Sequence, residues 1–335
     1  MMRTAGEAGA VGLAIDIGQT QARIRVLAAG DARGDAREVA GEVAGEAARG
    51  AAREIETRGF VYGADLLSAI PALVRESTQR LEVSHVAAVA VGSTGVHGRV
   101  PPIDGIAREL HRDHGVRRTV VADDAVTAYL GARGEVDGVV VAAGTGMVGL
   151  GLGPAGAARV DGVGGMIGDE GAGWWIGRRG LIAAISASDG RPQASPALLE
   201  RLESRFGPVA GFPGVVAADE SPVALVASFA KDVAEVARAG DPVATSIWRE
   251  AGAHIAGVVV AGAVRSGLDG AVPWVLLGRL GAADDLLRPG WDPVLASALP
   301  GATRVAPEGM PLDGVARLLD IDTARFGAMV RAVEP

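Results

Sequence analysis

Residues 11–27 read VGLAIDIGQTQARIRVL, and this stretch sets the fold of the chain. An apolar run leads to Asp16 and a glycine, and residues 21–27 then alternate arginines with apolar side chains. This pattern predicts a strand, a tight turn and a returning strand. Residues 138–152, GVVVAAGTGMVGLGL, repeat the pattern. We therefore predict two related α/β halves.

Apolar periodicity outside the two hairpins predicts further strands and helices. Residues 28–59 are predicted as strand and loop. Strands are predicted at 86–91, 119–122 and 274–277, and helices at 65–81, 106–111, 125–132, 172–187, 196–205, 222–239, 242–266 and 311–319. Residues 151–156, GLGPAG, have the spacing of a dinucleotide-binding fingerprint. Pro154 and the lack of a following amphipathic helix predict a hairpin tip instead.

The composition excludes several classes of protein. A non-specific nucleic-acid binder needs a basic face, whereas the net charge here is -8, so we predict no nucleic-acid partner. The 335 residues contain no cysteine, which excludes disulfides, cysteine-based zinc sites and iron–sulfur ligation. The single lysine, Lys231, has no glycine-rich loop beside it, so neither a Walker A loop nor a pyridoxal site is predicted.

The sequence predicts neither a secretory signal nor a bilayer-spanning segment. Residues 1–10 lack a long apolar region followed by a cleavage site. The nearest candidate span, residues 255–264, is shorter than the roughly 20 apolar residues that a bilayer requires. A soluble cytoplasmic protein without a membrane partner is the expectation.

The two glycine turns have the chemistry of phosphate sites. Glycine lets backbone N–H groups approach phosphate oxygens, and Thr20 and Thr145 add hydroxyl donors. Asp16 would repel a phosphate unless Mg²⁺ lies between them, because Mg²⁺ binds through one or two carboxylates and water. Two ordinary β-hairpins, with the aspartate as a turn former, are the alternative.

Two further acidic segments are candidates for substrate chemistry. Asp123-Asp124 follows a buried strand, and one acid is enough to cap the next helix. Asp124 is therefore a candidate base that accepts a proton from a substrate hydroxyl. Asp169 and Glu170 lie within GGMIGDEGAGWWIG, residues 164–177, where carboxylates suit paired hydrogen bonds to sugar hydroxyls. A glycine-rich surface loop is the alternative, although the tryptophan pair fits it poorly.

Taken in order, these motifs resemble the sugar-kinase branch of the actin-like ATPase superfamily. The closest resemblance is to bacterial glucosamine kinases and N-acetylglucosamine kinases, which are grouped with the activator ATPases of acyl-CoA reductase and dehydratase systems. It covers residues 11 to about 320 and rests on Asp16–Thr20, Gly92–Gly95, Asp124-Ala125, Gly144–Gly146, Gly168–Gly177 and Gly278. The segment Gly168–Gly171 is the most specific of these.

The resemblance implies an α/β fold of two ribonuclease H-like lobes around a central cleft. The N-terminal lobe would be residues 1–125, completed by a C-terminal helix at about 311–335, and the C-terminal lobe residues 126–310. The repeated hairpin pattern predicts that the boundary falls between Ala125 and Val136. The resemblance also implies a homodimer that uses ATP and Mg²⁺ to phosphorylate a small sugar.

Roles for individual residues follow from the same resemblance. Asp124 would be the catalytic base, and Asp16 and Asp124 would hold Mg²⁺. The sugar would be bound by Thr94, Asp124, Asp161, Asp169 and Glu170. The nucleotide would be bound by Gly18, Gln19, Thr20, Gly144, Thr145, Gly146, Gly278 and Arg279.

Three segments depart from the N-acetylglucosamine kinase pattern. Met147-Val148 replaces Ser-Asn, Gly162–Gly165 replaces Gly-Trp-Gly-His, and Gly278-Arg279 replaces Gly-Gly. Groups that an N-acetyl sugar would contact are therefore missing, whereas Asp161 or Glu170 would suit a free 2-ammonium group. We predict glucosamine as the substrate and glucosamine 6-phosphate as the product, with N-acetylglucosamine or another hexose as the alternative.

A non-catalytic sugar or nucleotide sensor is the alternative of another class. An activator ATPase with an iron–sulfur cluster is not expected, because its cluster needs cysteines. The related repressors carry a helix-turn-helix ahead of the nucleotide turn, and that turn begins here within the first twenty residues.

Overall fold

The computed structural model describes residues 11–18, 21–27, 53–58 and 66–335. Its strands are β1 (Val11–Ile17), β2 (Gln21–Leu27), β3 (Glu54–Arg58), β4 (Val86–Ser93), β5 (Arg118–Asp123), β6 (Gly138–Ala143), β7 (Met147–Gly153), β8 (Gly156–Asp161), β9 (Val272–Leu277), β10 (Ala302–Arg304) and β11 (Val330–Val333). Its helices are α1 (Leu66–Arg80), α2 (Asp104–His114), α3 (Asp124–Arg133), α4 (Gly173–Asp189), α5 (Pro196–Phe206), α6 (Phe212–Ala218), α7 (Pro222–Ser228), α8 (Ala230–Arg238), α9 (Pro242–Ser266), α10 (Asp284–Ala298) and α11 (Pro311–Arg317). Among the helices of these ranges, none is both long enough and apolar enough to cross a bilayer.

The chain divides into two compact units, each built on one sheet. The first unit is Met1–Val136 with Pro307–Pro335, and the second is Asp137–Ala306. Their strand orders are β11-β5-β4-β1-β2-β3 and β10-β9-β6-β7-β8. Each sheet has an antiparallel meander of three strands with parallel strands beside its first strand. The two related α/β halves predicted from the repeated hairpin are therefore confirmed.

Burial explains why the central segments form strands. β4 is buried along almost its whole length, and β1 buries Leu13, Ile15 and Ile17. Strands inside a parallel sheet are covered on both faces, which is why they appear in the sequence as continuous apolar runs. In the second unit, the Asp241 side chain caps α9 by accepting the N–H of Ala244 at 2.8 Å, and α9 buries Trp248 and Ile255 in the core.

Most predicted elements are confirmed with ends shifted by a few residues. The hairpin tip predicted at 151–156 is present, because β7 ends at Gly153 and β8 begins at Gly156. The single helix predicted at 222–239 is two helices, α7 and α8, which Phe229 separates. Four elements have no counterpart among the predicted ones: α6, α10, β10 and β11. Within the prediction for 28–59, residues 54–58 form β3, and residues 28–52 and 59 lie outside the described residues.

The first unit ends at Val136, at the far end of the boundary range predicted from the sequence. A boundary after Ala125 would cut α3, whereas the first unit continues to Val136. α3 belongs to the first unit because α11 packs against it at close range. A Cβ added to Gly131 would overlap the carbonyl of Met310, and one added to Gly314 would overlap the carbonyl of Thr127. The C-terminal residues also supply more than a helix, since β11 pairs antiparallel with β5.

This close contact gives a stability prediction for Gly314→Ala. The new methyl group would force α11 away from α3, so we expect a loss of about 1–3 kcal/mol in unfolding free energy. Gly105→Ala in α2 is the matched control, because no atom lies within 4 Å of its added Cβ. The control should gain about 0.5–1 kcal/mol from reduced chain entropy. Equal effects of the two substitutions in denaturant unfolding would contradict the predicted packing.

Candidate functional site

The first glycine turn joins β1 to β2 in the first unit. The N–H of Gly18 donates to the carbonyl of Gln21 at 3.0 Å and closes the hairpin. Gln19 and Thr20, predicted to bind the nucleotide, lie outside the described residues. The turn is therefore placed at the end of β1, directly after Asp16 and Ile17.

Strand register brings three predicted site residues to one edge of the first sheet. β1, β4 and β5 run parallel, with Asp16 beside Gly92 and Ser93 beside Asp123. Thr94 follows β4 and donates its N–H to the carbonyl of Ile17 at 3.1 Å. Asp16, Thr94 and Asp124 consequently lie at the carboxyl ends of neighbouring parallel strands, where ligands bind in open α/β sheets.

Asp123 and Asp124 have different environments although they are adjacent. Asp123 is fully buried, and its carboxylate accepts the N–H of Ala125 at 2.9 Å and the N–H of Gly98 at 2.7 Å. It therefore caps α3 and also holds the loop that follows Thr94. Asp124 is the first residue of α3 and is partly exposed.

Asp16 is held in its acid form to an unusually high pH. Burial raises the pKa of its carboxyl group from 3.8 to about 6, while the positive charge of Arg23 lowers it. Arg23 is the cross-strand partner of Asp16 on β2. A carboxylate that is costly to ionise at a strand end is typical of a functional site, because a cation supplied by a ligand can compensate for the cost.

The second glycine turn lies between β6 and β7 in the second unit, where the start of α4 is bonded to it. The N–H of Gly144 donates to the carbonyl of Gly146 within the turn at 2.9 Å. The N–H groups of Gly173 and Trp174 donate to the carbonyls of Gly144 and Thr145, both at 2.9 Å. The turn and the beginning of α4 therefore form one hydrogen-bonded assembly.

Asp169 lies against this turn with its side chain largely buried. Its Oδ1 accepts the N–H of Met147 at 3.0 Å, and its backbone has a left-handed φ of 59°. Its own N–H donates to the carboxylate of Asp161 at 3.1 Å. Burial raises the pKa of Asp169, the bond from Met147 lowers it, and the charge of Asp161 raises it.

Glu170, the next residue, is exposed. Its carboxylate lies 3.7 Å from Nε2 of His254. The ring of His254 meets Trp175 edge-on at 5.2 Å between centroids. The two acids of the Asp-Glu pair are thus separated into a buried one bonded to the glycine turn and an exposed one beside a histidine.

Gly278, at the end of β9, shares the edge of the second sheet with the second glycine turn. Ala142 of β6 pairs in parallel with Leu277 of β9, so the carboxyl ends of the two strands are aligned. Gly144 and Gly278 come just after these two strand ends. A Cβ at Gly278 would overlap the carbonyl of Ala143, and its φ is 97°, so this position excludes a side chain. Arg279 follows it, is exposed, and begins a 3₁₀ turn.

Three contacts at this site have no direct signal in the sequence. They are the bond from Met147 to Asp169, the bond from Asp169 to Asp161, and the approach of His254 to Glu170. Each joins residues on different elements, so only the register of β7 with β8 and the packing of α9 place them together.

Known proteins share the fold that carries these residues. Residues 13–280 match the model of the BadF/BadG/BcrA/BcrD ATPase family. The chain belongs to this family. As a BadF/BadG/BcrA/BcrD ATPase it has the actin-like ATPase fold that its motifs predicted, and the predicted resemblance to the sugar-kinase branch is confirmed. No curated protein sequence matches the chain significantly.

Solved structures resemble this ATPase over nearly its whole length. A provisionally assigned N-acetylglucosamine kinase from Chromobacterium violaceum is 26% identical, with a TM-score of 0.65 and coverage of 93% of this chain and 99% of the other. A provisionally assigned N-acetylglucosamine kinase from Porphyromonas gingivalis is 19% identical, with a TM-score of 0.62 and coverage of 92% and 97%. A ROK-family glucokinase from Streptomyces griseus, solved with glucose and AMPPNP, is 19% identical, with a TM-score of 0.52 and coverage of 92% and 98%.

The raised pKa of Asp16 predicts a pH dependence of stability in metal-free buffer. The folded state holds this proton up to about pH 6, whereas the unfolded chain releases it near 3.8. The stabilisation from the protonated acid is therefore complete at low pH and is lost as pH rises through about 6. In denaturant unfolding, the free energy of unfolding of Asp16→Asn should equal that of the wild type near pH 4. Above pH 6 it should be higher than that of the wild type by roughly 1–3 kcal/mol. A stability difference that does not change with pH would contradict this prediction.

Proposed function

We propose that this ATPase is an ATP-dependent sugar kinase that converts glucosamine to glucosamine 6-phosphate. The observation that carries the proposal is the alignment of Asp16, Thr94 and Asp124 at one edge of the first sheet. This edge offers a carboxylate that could hold a metal ion, a hydroxyl side chain and a second acid, which are the kinds of group that phosphoryl transfer to an alcohol uses. Membership of an ATPase family supports ATP as the phosphoryl donor.

Asp124 is the proposed catalytic base. Asp123 already caps α3 and holds the neighbouring loop, so the cap does not require Asp124. As the sugar hydroxyl oxygen attacks the γ-phosphorus of ATP, its proton passes to the Asp124 carboxylate. The bond between the γ-phosphorus and the bridging oxygen breaks, and ADP leaves.

Asp16 is the proposed magnesium residue, with Asp124 as a second carboxylate at the same sheet edge. The described residues contain no cluster of three histidine, cysteine or acidic side chains that could enclose a metal. One or two carboxylates completed by water suit Mg²⁺, which keeps much of its hydration shell in proteins. When bound, Mg²⁺ would neutralise charge on the ATP phosphates.

The second unit offers the proposed nucleotide-binding groups. The glycine turn Gly144–Gly146 and the turn at Gly278-Arg279 follow aligned ends of β6 and β9. The turn Gly144–Gly146 has no side chain on two of its three residues, and the N–H of Gly144 is used within the turn, so the N–H groups of Thr145 and Gly146 are the ones proposed to face phosphate oxygens. Gly278 and Arg279 are the proposed contacts on the adenosine side.

The choice of glucosamine rests on acids that suit an ammonium group. Glu170 is the acid proposed to face the ammonium group, because it is the more exposed of the two candidates and Asp161 already accepts the N–H of Asp169. N-acetylglucosamine is the second candidate, because the relative at 26% identity carries that assignment. Residues 162–165 carry neither the tryptophan nor the histidine of that kinase pattern, and Val163 is exposed there.

A sugar panel tests the proposed substrate. ATP-dependent phosphorylation of glucosamine, N-acetylglucosamine and glucose would be measured by ADP release, and the product position read by NMR. We expect the largest kcat/KM for glucosamine and a phosphate on the 6-hydroxyl. A clear preference for N-acetylglucosamine would overturn the choice of sugar, and nucleotide binding without turnover on any sugar would favour a sensor.

Asp124→Asn tests the proposed base. The amide cannot accept the proton, so kcat should fall by about 10²–10⁴ while nucleotide affinity is largely kept. Asp104→Asn is the matched control, because Asp104 is likewise the first residue of a helix, α2, and is exposed. We expect the control to keep the wild-type rate, and a wild-type rate for Asp124→Asn would remove it from the mechanism.

A further inference from the structure

The carboxylate of Asp161 is directed at the backbone of Asp169. Asp161 is the last residue of β8, and its two carboxylate oxygens lie 3.2 and 3.1 Å from the Asp169 nitrogen. Both oxygens thus approach the same N–H group. This is the arrangement of a side chain that fixes a backbone, in the same way as a helix-capping acid.

Arg159 holds Asp161 in the conformation that this bond requires. Asp161 has a left-handed φ of 58°, which is uncommon for a residue other than glycine. The Arg159 guanidinium donates to the carbonyls of Asp161 at 2.6 Å and Gly162 at 3.1 Å. A residue held in a sparsely populated conformation by a dedicated side chain is typical of functional regions.

The bond from Asp161 continues through Asp169 to the second glycine turn. Asp169 also has a left-handed backbone, and from that conformation its Oδ1 reaches the N–H of Met147 at 3.0 Å. A Cβ at Gly146 would lie 2.7 Å from Oδ2 of Asp169, so the carboxylate rests directly on the turn. The Asp161 carboxylate therefore holds the Asp169 backbone, and the Asp169 carboxylate in turn holds the Met147 N–H.

This arrangement brings two acidic side chains close together, which is unfavourable. Two nearby negative charges repel each other and burial of Asp169 increases the cost, while the bond from Met147 and the positive charge of Arg159 offset part of it. An arrangement with this cost is expected where the geometry serves a function.

We propose that Asp161 is a positioning residue: by holding the backbone of Asp169, it fixes the Asp169 carboxylate on Met147 and so sets the shape of the Gly144–Gly146 turn. The proposal rests on the proposed kinase function for its kinetic consequences. Asp161 then acts through Asp169 and does not bind the ammonium group of the substrate. A neutral amide oxygen accepts an N–H as a carboxylate does, whereas an ammonium-binding site needs the negative charge.

The variants Asp161→Asn and Asp161→Ala distinguish a positioning role of Asp161 from binding of the substrate ammonium group. The asparagine variant keeps an acceptor for the N–H of Asp169. With glucosamine and with N-acetylglucosamine, we therefore expect kcat, the KM for the sugar and the KM for ATP to stay within about threefold of the wild-type values. The alanine variant loses the acceptor, so we expect kcat to fall by about 10–100-fold and the KM for ATP to rise, since small displacements of positioning groups have effects of this size. Loss of glucosamine activity alone in the asparagine variant would overturn the proposal in favour of ammonium binding.

Hydrogen exchange of the Met147 amide gives a readout that does not depend on activity. In the intact protein, Asp161→Ala should speed exchange at Met147 by at least about tenfold, and Asp161→Asn should leave it near the wild-type rate. Asp292→Ala is the matched control, because it removes an exposed acid that pairs with Arg288 in the same unit. Unchanged protection of Met147 in Asp161→Ala would overturn the proposal.

Gly146→Ala keeps the test valid if Asp161→Ala fails to fold. The three atoms nearest to the added methyl group all belong to the Asp169 carboxylate, which it pushes away, so Met147 exchange should again accelerate. Unchanged exchange in this variant would show that Asp169 does not hold the turn. If the wild type phosphorylates no sugar, the proposed function fails, and the exchange rates at Met147 still decide whether Asp161 positions the turn.

Discussion

Close approach of backbone around residues 143–147 is the constraint on which the second unit depends. The start of α4, the end of β9 and the acidic segment all contact this one turn. At each contact a glycine removes the side chain that would stand in the way: Gly173 beneath the carbonyl of Gly144, Gly278 beneath that of Ala143, and Gly146 against Asp169. Because a turn held from three directions has few alternative conformations, its backbone geometry is fixed in advance.

The first unit reaches a comparable arrangement through strand register instead of glycine contacts. Parallel pairing of β1, β4 and β5 aligns their carboxyl ends, and this alignment brings Asp16 and Asp124 to the same edge. Asp123 is buried there and satisfied by two N–H donors. Asp16 is different, because burial raises its pKa to about 6 without comparable compensation. The acid left with the larger electrostatic cost is the one proposed to bind a cation.

Elements that the sequence did not predict owe their existence to packing or pairing. α10 contains Pro289 and Pro293, which argue locally against a helix. It forms because it packs closely on α9, where Gly252 lies against the Leu287 carbonyl and Gly290 against the Arg249 carbonyl. β11 has only four residues and is a strand because β5 offers it an edge. Neither condition can be detected within a short window of sequence.

Candidate residues divide in the same way. Asp124 could be proposed from the sequence because a surplus acid after a buried strand is a local signal. The separate environments of Asp169 and Glu170 could not be predicted from the sequence, because Asp169 contacts β7 and Glu170 contacts α9. The proposed positioning role of Asp161 was equally hidden, since its charge alone suggested an ammonium ligand.

The sequence by itself determined the two strand–turn–strand repeats, the glycine turns and the acids that follow strands. These features depend on the alternation of apolar residues and on the conformations that glycine permits, both of which act within a few neighbouring residues. Only the tertiary structure decided which acids meet which backbone groups. A hydrogen bond such as that between Met147 and Asp169 needs β7 in register with β8 and α4 seated on the glycine turn, so it exists only after the whole unit has packed.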